Sequence, residues 1–294
     1  MTATAGGDRR RLRPYLGFVW PALVVCTGVI IFPWLFTVWM SFNDWHIGSA
    51  RAFIGLDNYL NLATDRRFLE AIGHTFYFTV LAVFLPLVLG TLAALVFHKK
   101  FRGRGFYRTL FIMPMMATPV AVSLIWTMMF HPQLGVLNYL LSLVGLPPSQ
   151  WVFATSTVIP SLILVEIWLW TPFVMIIVLG GLASLPSEPY EAALIDGASA
   201  WQMFWKITYP LVLPFLVVAM IIRTIDSLKA FETIWVISNG GPGTASETLN
   251  VYLYAQAFAY NQIGTASAVV VVFFAIIVAL SLVLLWARQK AKWA

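Results

Sequence analysis

SLPSEPYEAALIDGASAWQMFWKITYP, residues Ser184–Pro210, lies between two long apolar runs. It is acidic, with Glu188, Glu191 and Asp196 against the single Lys206. Ser187, followed by Glu188 and Pro189, has the character of a helix start, and Ala192, Ala193, Leu194 and Ile195 continue it. Gly197 interrupts. A second amphipathic stretch carries Trp201, Phe204, Trp205 and Ile207, and Pro210 is expected to stop it. The expected unit is a helix, a turn at Gly197 and a second helix, with aromatic side chains exposed for docking a partner.

The rest of the chain is apolar. Of 294 residues, 60% are hydrophobic and 10% charged, against about 25% charged in soluble domains, so the composition is that of a polytopic membrane protein. A hydrocarbon core about 30 Å thick takes roughly 20 apolar residues per helical crossing. Runs of that length occur at Tyr15–Met40, Ala71–Phe97, Leu110–Phe130, Val158–Leu185, Leu211–Ile237 and Gly264–Ala287. The fold class is therefore all-α, with six transmembrane helices.

The net charge of +6 is accounted for by topology. Arg9, Arg10, Arg11 and Arg13 precede span one, Lys99, Lys100, Arg102, Arg104 and Arg108 lie between spans two and three, and Arg288, Lys290 and Lys292 follow span six. With Lys206 they place thirteen basic residues on one side, whereas only Arg51, Arg66 and Arg67 fall on the other. Cytoplasmic loops hold the excess, so both termini are cytoplasmic. The expected organisation is a cytoplasmic tail at 1–14, a membrane domain at 15–287 with its acidic loop at 184–210, and a cytoplasmic tail at 288–294. No basic patch remains to argue for nucleic acid. The first apolar run is longer than the core of a cleavable signal, so it is expected to be retained. Residues 131–153 carry no charge, and Leu134, Leu137, Leu141 and Val144 recur at helical spacing. Trp151 suits the water–lipid boundary, and either a short interfacial helix or a packed loop satisfies that pattern.

The acidic stretch resembles the EAA loop of permease subunits of binding-protein-dependent ABC importers: Glu191-Ala192-Ala193, three residues, Gly197, nine residues, then Ile207-Thr208-Tyr209-Pro210. Tyr209 stands where that family usually has Leu. Phe53–Tyr59, Thr171-Pro172-Phe173, Asp196–Ser199, Asn239-Gly240-Gly241-Pro242, Tyr252–Phe258 and Gly264–Ala268 extend the resemblance over nearly the whole chain, to the maltose-permease-like first subunit of the carbohydrate branch. The resemblance implies the type I ABC importer permease fold in a bacterial or archaeal cytoplasmic membrane. It assigns coupling to a separate ATPase to Glu191, Ala192, Ala193, Asp196, Gly197, Ile207 and Pro210. It implies two ATPase subunits that bind ATP and Mg, a second and different permease, and an extracytoplasmic sugar-binding protein. The cargo would be a sugar or polyol.

Charges within spans are costly and usually meet a cavity or a partner. Span five carries Arg223, Asp226, Lys229 and Glu232 at intervals of three with alternating sign, a spacing that lets neighbours pair as a ladder. Glu166 in span four lies roughly 12 Å from the outer end and Arg223 roughly 18 Å from the inner end, which is the same depth, so these two could also pair. Glu166, Arg223 and Asp226 are expected to line a pathway. By the ungapped resemblance, the positions facing sugar fall on Glu166, Leu169, Trp170, Phe173, Arg223, Asp226 and Ser227. A packed aromatic cluster with a buried ion pair is the competing explanation.

No GxxxxGK[ST] stretch is present, and the only cysteine, Cys26, lies in an apolar run. His46, His74, His98 and His131 lack any local metal-ligand spacing. No enzyme activity, metal site or cofactor is expected in this chain. The alternative function is an ion-coupled secondary transporter built on Glu166, Arg223 and Asp226.

Overall fold

The computed structural model describes residues 8–290, with side chains for residue 17 and residues 19–286. Residues 1–7 and 291–294 of the expected tails, and the side chains of Arg9, Arg10, Arg11, Arg13, Arg288, Lys290 and Lys292, lie outside the described residues. The chain divides into two compact units, 1–63 with 255–273 and 64–254 with 274–294.

The first unit holds α1 (Asp8–Met40), a two-stranded antiparallel ribbon of β1 (Asn43–Asp44) and β2 (Ala52–Phe53), and nearly all of α2 (Asp57–Thr64). Helix α1 begins seven residues before the expected span. Its membrane-length part, Val19–Met40, is only 6% buried, so its apolar side chains face outward almost all round. The rest of this unit is a π turn at Ala255–Ala259 and the first part of α13 (Ile263–Lys290). The Asn58 amide donates to the carbonyls of Ser41 and Asn43 at 2.9 and 3.0 Å, which ties α2 to the ribbon. The α13 start is held by backbone bonds from Ile263 and Gly264 to the Trp45 carbonyl. A Cβ at Gly264 would collide with the Asn43 carbonyl, so glycine permits this approach.

The second unit is built around α3 (Arg66–His98), α7 (Val158–Ala183) and α10 (Tyr209–Leu228). Small residues let these helices close on one another. A Cβ at Gly90 would stand 2.6 Å from the Val174 Cβ, and one at Gly181 would stand 2.6 Å from the Phe215 ring. Two apolar clusters result, one around Phe78, Leu162 and Ile234, the other around Ala94, Met175 and Val212.

The third expected span, Leu110–Phe130, is not one helix. It comprises α4 (Arg104–Ile112), a 3-10 turn at Met113–Met116 and α5 (Pro119–Met129), bent by 97°. Pro114 and Pro119 explain the break: each lacks an N–H, and Thr118 before Pro119 takes extended angles (φ −69°, ψ 142°). The uncharged connection that follows contains α6 (Val136–Leu143), so the helical reading of its periodicity holds over eight residues.

The acidic loop folds as α8 (Glu188–Ile195) and α9 (Ala200–Met203), then a π turn at Phe204–Thr208 leading directly into α10. Pro210 therefore does not stop the second helix, contrary to expectation. It sits in the first turn of α10, where its missing N–H is tolerated because the π turn has already shifted the hydrogen-bond ladder. Span five also ends early. After Leu228 the chain breaks, resumes as α11 (Glu232–Ser238), and reaches α12 (Leu249–Tyr254) through the Asn239-Gly240-Gly241-Pro242 turn. Phe231 leaves helical geometry (φ −135°) and packs against Trp235 and Tyr254 at 5.8 and 5.2 Å. Lys229 then caps the end of α10 and Glu232 opens α11, each at the helix end that suits its charge.

Candidate functional site

The expected charge ladder is not formed. Among the described residues Arg223 pairs across to α7: its Nη2 donates to Glu166 Oε2 at 2.9 Å. No ion pair among the described residues joins Asp226, Lys229 or Glu232, and the last two are exposed at helix ends. Glu166 and Arg223 are 3% and 1% exposed, so neither can exchange its partner for solvent. Removing one member of such a pair typically costs about 3–5 kcal/mol, because the other is left as an uncompensated buried charge.

Aromatic side chains of α7 complete the cluster. The Arg223 guanidinium lies over the Trp170 ring, 4.1 Å from its centroid, and Phe173 meets Trp170 edge-on at 6.0 Å. Helical spacing brings Glu166, Trp170 and Phe173 to one side of α7 at i, i+4 and i+7. Thr233, from the short helix after the break, presents its hydroxyl to Glu166. Ser227 follows Arg223 by one helical turn. Among the described residues its buried hydroxyl and Arg223 Nε have no partner, so the cluster keeps two unused polar atoms. Asp226 is half-buried, whereas Leu169 packs in the apolar cluster with Val165 and Phe78. Five of the seven expected pathway residues thus form one neighbourhood: Glu166, Trp170, Phe173, Arg223 and Ser227. Leu169 supports it from the packed side. A guanidinium, a carboxylate and two aromatic faces are groups that bind hydroxyls by charge-assisted bonds and ring stacking, although in this conformation Glu166 and Arg223 are buried against each other.

The second candidate site lies at the end of the unit that bears the 2–3 basic loop. Gly197 takes φ +72°, a left-handed conformation that a side chain would strain, and the Ala198 N–H returns to the Ala193 carbonyl at 2.9 Å. Ser199 and Gln202 form a reciprocal capping box that starts α9. The Tyr190 hydroxyl donates to Thr208 Oγ1 at 3.0 Å, which ties the two arms together. On this frame Glu191, Ala192, Asp196 and Pro210 are exposed, and Ala193 and Ile207 are half-buried. Leu194 and Ile195 are also exposed, the latter 88%, an apolar tip that nothing among the described residues covers.

A further cluster was not foreseen. Glu247, 4% exposed in its side chain, receives two hydrogen bonds from Arg67, at 2.6 and 2.8 Å. Tyr252 donates to Asp65 at 2.6 Å and Thr75 accepts from the Leu249 N–H at 2.8 Å, so the segment after the glycine-rich turn is clamped to the start of α3. His74 joins it by facing the Glu247 carbonyl at 3.1 Å. The partners are 180 residues apart in sequence, and the only local signal was a lone acid after Asn239-Gly240-Gly241-Pro242.

Residues 86–291 match the family described as binding-protein-dependent transport system inner membrane component. A probable ABC transporter permease protein of Sinorhizobium fredii is 35% identical over 289 residues, covering 97% of this chain and 93% of that protein. A trehalose/maltose transport system permease protein of Thermococcus litoralis is 33% identical over 266 residues, 90% of each. A crystal structure of a bacterial alginate ABC transporter, in complex with an alginate pentasaccharide-bound periplasmic protein, includes a chain that superposes with a TM-score of 0.83 at 23% identity, over 97% of each chain.

Proposed function

Because this chain belongs to the family of inner membrane components of binding-protein-dependent transport systems, we propose that it forms one half of a solute pathway whose opening is driven by a separate ATPase. It is a multi-pass permease subunit of an ABC importer in a prokaryotic inner membrane. The cargo class proposed is a sugar or polyol, supported by the trehalose/maltose relative and by the arginine, carboxylate and aromatic groups at Glu166, Trp170, Phe173 and Arg223. The other proposed components are a different second permease, two ATPase subunits holding ATP and Mg, and an extracytoplasmic binding protein. This chain itself would perform no hydrolysis.

One observation carries the coupling role: α8, tied to Thr208 through Tyr190, leaves its apolar tip, Leu194 and Ile195, exposed. An apolar tip between Glu191 and Asp196 suits a cleft on a protein with basic edges. Force applied there would pass through the Tyr190–Thr208 bond and the π turn into α10, which carries Arg223. The test is cross-linking of Ile195→Cys to single cysteines on the partner ATPase. A cross-link whose yield changes with ATP supports the assignment, and absence of any cross-link in the assembled complex overturns it. The ion-coupled alternative on Glu166, Arg223 and Asp226 is not favoured: the family and the relatives are components of binding-protein-dependent transport systems, and Arg223 holds Glu166, one of its two carboxylates, at 2.9 Å.

A further inference from the structure

An apolar trough runs along the second unit between α3 and α10, toward the end that carries the basic loop. Its deeper part, about 460 Å³, is walled by Phe84, Val88 and Leu92 on α3 and by Leu213, Val217 and Met220 on α10. A second cavity, about 770 Å³, shares Leu92, Trp201 and Phe204 with it; Leu182 and Ala183 at the end of α7, Leu185 and Tyr190 form its other wall, and His98 and Lys99 lie at the end of its α3 wall. From Phe84 to His98 the α3 wall is roughly 21 Å long at helical rise, more than half of a hydrocarbon core about 30 Å thick.

Side chains change in kind along the trough. Trp201, Trp205 and Tyr209 follow one another at intervals of four, with ring centroids 5.5 and 5.3 Å apart, and all three are exposed. Beyond them, toward the bilayer centre, the same wall becomes purely aliphatic. Aromatic amphipathic rings at the headgroup level with aliphatic side chains beneath are the pattern of a lipid-facing surface. The mouth is cationic. Lys99 lines it, Lys100 and Arg102 follow in the chain, and neither part of the trough is lined by a carboxylate.

We propose that this trough is a binding site for an anionic phospholipid, with an acyl chain between α3 and α10 and the phosphate at Lys99. The charge at the mouth selects this occupant: a partner helix or a zwitterionic lipid would fill the apolar part without using Lys99. Basic pockets between helices at the cytoplasmic face recognise acidic headgroups in this way.

The test is photolabelling of the full-length chain in its assembled transporter, in nanodiscs doped with phosphatidylglycerol or phosphatidylcholine carrying a diazirine in the acyl chain. Peptides containing 84–92 and 201–220 are expected to label with a preference of about fivefold for phosphatidylglycerol, the worth of one basic residue near the surface. Lys99→Glu, an exposed position, should bring the two lipids to parity while labelling persists. Leu92→Trp should reduce labelling by both, because it fills the trough. Equal labelling of the parent protein by the two lipids would mean bulk lipid only, and would overturn the proposal. So would absence of label from both segments, the result expected if another protein covers the trough.

Discussion

Replacement of Glu166 by Leu separates a pathway from a mere structural tie. Glu166→Leu leaves the Arg223 guanidinium, 1% exposed, with its carboxylate partner removed. The expected cost is about 3 kcal/mol, the low end of the range for a broken buried pair, because Trp170 remains 4.1 Å below the cation. Adding Arg223→Met removes the stranded charge, and the double variant should return to within about 1 kcal/mol of the parent or exceed it. Equilibrium unfolding in mixed micelles measures both. Uptake by the assembled transporter is then compared: if these groups contact solute, the double variant is stable and still fails to transport. A double variant that regains both stability and uptake would refute the pathway role. A single variant that loses under 1 kcal/mol would refute the buried pair itself.

Other expectations follow from particular contacts. Gly90→Val should destabilise by about 1–3 kcal/mol, since its Cβ would stand 2.6 Å from Val174, a change readable in the same unfolding assay. Arg67→Ala should cost about 3–5 kcal/mol by leaving Glu247 buried and unpaired, whereas Arg67→Ala with Glu247→Gln should recover much of that loss. Gly197→Ala places a side chain at φ +72°, costing about 1–2 kcal/mol, and should lower solute-stimulated ATP hydrolysis by the complex while assembly is retained on gel filtration.

Much of this was legible because its signals are local. Apolar runs locate five spans to within a few residues at one end or both, and the spacing from Glu191 through Gly197 to Pro210 marks the helical pair. The break in span three, expected as one helix, lies at Pro114 and Pro119, a local signal that hydropathy alone passes over. The end of α10 was not legible: alternating charges at Arg223, Asp226, Lys229 and Glu232 suit a continuous ladder equally well. What decides against it is tertiary, the reach of Arg223 to Glu166 and the packing of Phe231 on Trp235 and Tyr254. The Arg67–Glu247 clamp joins residues 180 positions apart, and Arg67 had been counted only as one of three basic residues on the outer side.

Solute uptake into proteoliposomes measures the central claim most directly. Transport should require ATP, the partner ATPase and the binding protein together, and should disappear when Glu191→Ala is combined with Gly197→Ala. Uptake by this chain alone under a proton or Na⁺ gradient, undiminished by those two changes, would contradict it.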